Sequence, residues 1–213
     1  SFSTYELFYF TIITICYSCT ILLIVPFVGV YMKGVTDANY IRPLFGYLLV
    51  ISEFIWAIRM PYSSITLAAG HFKETRKGAW VEAISNIVIS IILVIKFGIV
   101  GVAIGTLVAM LIRTIEFIYH TNKYILNRNI FVNIKKVIVI ILETILIVLI
   151  VRLIPINITI NSYLNWIIYA IIVFVIASIV TISINMIMYK NDIGNLKQLL
   201  KNNFGKLFKR RKK

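Results

Sequence analysis

The chain has 213 residues, of which 60% are hydrophobic and only 14% charged, where an ordinary soluble domain is about 45–50% apolar and 25% charged. That balance excludes a soluble globular domain. The formal charge of +14 comes from 22 Lys and Arg against 8 Asp and Glu, and on so apolar a chain membrane topology explains it better than a nucleic-acid partner.

A transmembrane helix needs about 20 mostly apolar residues to cross some 30 Å of hydrocarbon. Six such runs occur, at 7–32, 44–67, 79–95, 99–119, 137–154 and 164–189. They are too long, and too little alternating, for the strands of a membrane barrel. The expectation is an all-α polytopic membrane helix bundle of six transmembrane helices (1–189) followed by a basic cytoplasmic tail (190–213). Pro43 opens the second run and Pro155 closes the fifth, while Gly98 turns the third into the fourth almost without a loop. Pro26 and Pro61 fall inside runs, where each removes a backbone hydrogen bond and favours a kink.

Charge assigns the sides. Lys73, Arg76 and Lys77, then Lys123, Arg128, Lys135 and Lys136, then every Lys and Arg after Tyr189 fall on one side, against Lys33, Arg42, Lys96 and Arg152 on the other. By the positive-inside rule the rich side is cytoplasmic, and so are both ends of this chain. In the tail, Ile193, Leu196, Leu200, Phe204 and Leu207 recur at helical spacing among lysines. This predicts an interfacial helix attracted to the anionic lipids of the inner leaflet.

Ionisable residues within spans are costly and mark function or a snorkelling side chain. Glu53 lies about 14 Å into the second run, near the midplane, and is the candidate for a coupling ion. Arg59, just before Met60-Pro61, and Arg113, on the fourth run, are the candidate anion-binding residues. Arg113 and Glu116 share a face at i,i+3 and suit an ion pair. Glu82, Asn86 and Ser90 form a polar stripe that lipid would reject, which puts Asn86 with the candidate substrate-binding groups. Glu143 stands nearly alone in an Ile-rich helix. Gly101, Gly105 and Ala109 form a small-residue surface for close helix packing.

Cys16 and Cys19 match C-x-x-C inside an apolar run, where thiolates are disfavoured, so the expectation is neither a redox nor a metal site. His71 and His120, at helix ends far apart in sequence, make no metal-ligand pattern. No nucleotide-binding loop, metalloprotease motif or nucleophile elbow occurs. The sequence therefore predicts a transporter part, with no enzymatic activity, no metal and no cofactor. Its first residue is Ser, without a signal-peptide pattern, so a piece of a longer protein is expected.

Several linked patterns carry a resemblance: Pro26-Phe27-Val28, Tyr31, Thr36-Asp37-Ala38-Asn39-Tyr40 and Pro43; Arg59-Met60-Pro61-Tyr62; Ala68-Ala69-Gly70-His71-Phe72-Lys73-Glu74-Thr75-Arg76; Glu82-Ala83-Ile84-Ser85-Asn86-Ile87; and Gly98-Ile99-Val100-Gly101-Val102-Ala103-Ile104-Gly105-Thr106. In order and spacing they resemble the carboxy-terminal region of bacterial polysaccharide biosynthesis membrane proteins. These are oligosaccharide flippases of the multidrug/oligosaccharidyl-lipid/polysaccharide exporter superfamily. The resemblance covers roughly residues 5–120; the last two spans match as hydropathy alone. It implies the carboxy-terminal lobe region of a transporter of about 12 to 14 helices in the bacterial plasma membrane, with the amino-terminal lobe missing from this chain. The implied activity is flipping of an undecaprenyl-diphosphate-linked oligosaccharide for capsule or surface polysaccharide. The alternative within the superfamily is a multidrug/cation antiporter, whose cationic substrates would prefer Glu53 and make Arg59 and Arg113 unhelpful.

Overall fold

The computed structural model describes residues 2–155 and 158–194. Among them are six long helices and no strand: α1 Phe2–Tyr31, α2 Pro43–Ala68, α3 Phe72–Phe97, α4 Ile99–His120, α5 Ile130–Leu153 and α6 Tyr163–Met188, with a π-helical segment Thr121–Leu126 prolonging α4. The tail reading for 190–213 falls mostly on 195–213, outside the described residues.

Helix ends follow local chemistry. Pro43 is in the first turn of α2, where a missing donor costs nothing. Gly98, at φ +56°, makes the single-residue turn between α3 and α4. The side chains of Asn129 and Ser162 accept backbone N–H groups at the starts of α5 and α6. Pro26 and Pro61 both sit inside helices that continue past them. Helices also intrude on stretches that hydropathy leaves as loops. Lys73, Arg76 and Lys77 ride on the first turns of α3, and Lys135 and Lys136 on α5. The link between the π-helical segment and α5 shrinks to Asn127, Arg128 and Asn129.

Five helices are long and apolar enough to cross a membrane: α1, α2, α3, α4 with its extension to Leu126, and α6. Lys135, Lys136, Glu143 and Arg152 keep α5 out of that set on composition, yet it takes the same path. Its Asn133 and Lys136 bond Glu6 near the start of α1, and its Val151 packs in a cluster that includes Leu22 of α1 and Tyr169 of α6. At 1.5 Å per residue its 24 residues reach about 36 Å. The chain is a multi-pass α-helical membrane protein.

Two ends result. One gathers the start of α1, the end of α2, the end of α4 and the start of α5, tied by Tyr62 to Glu6 and by Thr66 to Thr121 (2.8 Å); among the described residues it carries most of the Lys and Arg. At the other end Lys33 donates to the Asn161 carbonyl (3.1 Å) and Trp166 to that of Leu23 (3.2 Å). Helices α3 and α4 form a tight hairpin. A Cβ at Gly101 would strike the Leu93 backbone and one at Gly105 would strike Ser90, so these glycines set the approach. The outer face of α3, with Trp80, Ile84, Ile87, Ile91 and Ile95, is exposed.

Candidate functional site

Where α2, α3 and α4 meet, the helices bring four charges together. Arg59 on α2 donates to Glu82 Oε1 on α3 at 2.8 Å, and the Nε of Arg113 on α4 lies 3.5 Å from Glu82 Oε2. One carboxylate thus serves two guanidiniums. Arg113 also donates to Glu116 Oε2 (2.6 Å) and to the Thr75 carbonyl (2.7 Å). Both arginines are nearly buried, Arg59 at 8% exposure and Arg113 at 7%. The Phe117 ring lies 5.9 Å from the Arg59 guanidinium carbon and 4.4 Å from that of Arg113, within cation–π range. Gly78 leaves the room: a Cβ there would run into the Arg113 and Glu116 side chains. The four charges cancel, which is the condition for keeping them in a low-dielectric interior.

The sequence candidates fall in different places. Arg59 and Arg113, 54 positions apart in sequence, converge on Glu82. Asn86 stands one turn along α3 from Glu82, and its Oδ1 accepts from Ser90 (3.1 Å) and Thr106 (3.5 Å). The polar stripe of α3 therefore faces α4. Glu53 joins neither group; it lies on an exposed face of α2.

A second ionic site, centred on Glu6, has no counterpart among the sequence candidates. Glu6 is fully buried and accepts from the Tyr62 hydroxyl, Asn133 (3.2 Å), Arg128 (3.2 Å) and Lys136 (2.8 Å). Lys136 also donates to Ser3 Oγ (2.8 Å), whose hydroxyl reaches Asp192 (2.9 Å). The one signal in the sequence is an acid immediately before the first apolar run, which reads as interfacial until its partners are known.

At the same end His71 Nδ1 and His120 Nε2 lie 3.0 Å apart, brought together by the turn after α2 and the end of α4. Among the described residues no three His, Cys, Asp or Glu side chains group as a metal site. Cys16 and Cys19 are free thiols. An apolar crevice of about 420 Å³ opens between α2, α4 and α5, lined by Phe54, Ile58, Leu111, Ile115, Ile118 and Ile141 among others.

Fold and sites define a class: a polytopic helical membrane protein with neutralised buried ion clusters at its helix junctions. No protein-family model, curated protein or solved structure matches the chain.

Proposed function

We propose that this chain is the carboxy-terminal part of an oligosaccharide flippase, moving an undecaprenyl-diphosphate-linked oligosaccharide across the bacterial plasma membrane for capsule or surface polysaccharide synthesis. The supporting observation is the pair of buried guanidiniums, Arg59 and Arg113, held to one Glu82 carboxylate. Two guanidiniums converging on one anion can also bind a phosphate, and arginine keeps its charge when buried. In this reading Glu82 is the resident anion, and a phosphate of the substrate displaces it from the two arginines. The apolar crevice between α2, α4 and α5 accepts the lipid tail. The basic end faces the cytoplasm and its anionic lipid leaflet. An amino-terminal lobe, which this reading requires, closes the cavity, and Glu53, exposed on α2, is free to meet it.

The test is flipping of a labelled lipid-linked oligosaccharide by the full-length protein in vesicles. Arg59→Gln and Arg113→Gln each lower the rate about tenfold or more, the factor that some 1.4 kcal/mol of lost phosphate binding represents. Wild-type rates in folded Arg59→Gln and Arg113→Gln proteins overturn the reading. Export of cationic dyes without lipid flipping replaces it with the multidrug antiporter.

A further inference from the structure

Along the seam of α1, α5 and α6 the buried groups change character from one end to the other. Near the basic end are Ser3 with Asp192, and Glu6 with Lys136. Further in, Asn185 donates to Thr11 (3.0 Å). Toward the far end, Ile147 and Val151 of α5 and Val173 and Ala177 of α6 pack with Ile15, Cys19 and Leu22 of α1 in a dry layer. Between the polar and dry parts lies Glu143.

Glu143 is one helical turn from Ile147 on α5, and Thr181 is one turn from Ala177 on α6, so both stand at the layer just beneath the dry cluster. The pairings of Ser3 with Asp192 and of Thr11 with Asn185 set the antiparallel register of α1 and α6, and they bring Thr14 to the level of Thr181. Ser18 follows one turn on. All four side chains are buried, Glu143 at 1% exposure. Both carboxylate oxygens of Glu143 and the hydroxyls of Thr14, Ser18 and Thr181 lack a hydrogen-bond partner among the described residues, as does the buried hydroxyl of Tyr189 just past the end of α6, which interacts electrostatically with Glu143. An ionised carboxylate at this depth without a counter-charge is far too costly to persist. Lys136, two turns away, spends its ammonium on Glu6 and Ser3.

We propose that Glu143, with Thr14, Ser18 and Thr181, forms a binding site for a dehydrated monovalent metal cation of sodium's size. Every unsatisfied group is an oxygen, the ligand type of hard cations. A single carboxylate matches one positive charge, whereas a divalent ion would leave a net charge buried. The polar groups from Ser3 to Thr11 line the seam toward the basic end, and Ile147 and Val173 seal the other side. The site goes beyond the flippase reading and does not depend on it: it is tested by binding, not transport.

Thermal unfolding of the purified full-length protein is compared in sodium chloride and in choline chloride at equal ionic strength and fixed pH. Sodium raises the wild-type Tm by about 5 °C when present some 100-fold above its Kd. Glu143→Gln abolishes the rise, and Thr181→Val shifts it to about tenfold higher sodium, the factor for about 1.4 kcal/mol of one lost ligand. A wild-type Tm indifferent to sodium overturns the proposal, as does a Glu143→Gln protein that responds like wild type. A Tm that follows pH but not sodium overturns it too, assigning the carboxyl a proton instead. If Glu143→Gln does not fold, Thr181→Val and Ser18→Ala decide: an unaltered sodium response in both rejects the site.

Discussion

Glu6 and Glu143 are both carboxylates with almost no exposure, yet their surroundings are opposite. Glu6 collects donors from α2, α5 and the link before α5, including two cations. Glu143 has none. The same residue type is thus a structural tie in one place and an unsatisfied group in the other, and burial alone does not tell them apart. A buried ion is judged by whether its whole hydrogen-bonding capacity is met.

That contrast makes predictions of opposite sign. Glu6→Ala leaves Arg128 and Lys136 facing an empty site and costs about 3–5 kcal/mol, read as a large fall in Tm or as failure to accumulate folded protein. Glu82→Gln, at the other ion cluster, removes the charge that Arg59 and Arg113 share. With Glu82 a quarter exposed, the loss is smaller, about 2–3 kcal/mol. Gly78→Leu breaks the same cluster sterically by pushing Arg113 from Glu116, with a cost of about 1–3 kcal/mol. Glu143→Gln measured without sodium is neutral or stabilising by about 1 kcal/mol, because the amide keeps the shape without the cost of neutralising a buried carboxylate. Glu53→Gln, on an exposed face, stays within about 0.5 kcal/mol. If Glu6→Ala and Glu143→Gln destabilise equally, the distinction between the two carboxylates is wrong.

The arginines give a second contrast. Depth and charge single out Arg59 and Arg113 along the chain, and both prove to be buried. They are turned into the junction of α2, α3 and α4 and are held by Glu82 and Glu116. The i,i+3 pairing of Arg113 with Glu116 was legible because a helix fixes that spacing. The Glu82 bridge was not, since it depends on how α2 and α3 pack. Asn86 follows the same rule: its stripe shows that it faces protein, and only the structure shows Ser90 and Thr106 as its partners.

The sequence by itself determined the medium, the helices and their alternating direction, because apolar runs of membrane length leave the backbone no alternative to bonding within its own helix. It also determined the tight α3–α4 hairpin, through Gly98, Gly101 and Gly105. Tertiary structure alone decided which charges meet. Glu6 is separated from Lys136 by 130 positions, and His71 from His120 by 49. Such contacts are set by the packing of helix faces, and hydropathy, which scores each residue for its solvent and not for its neighbour, carries no record of them.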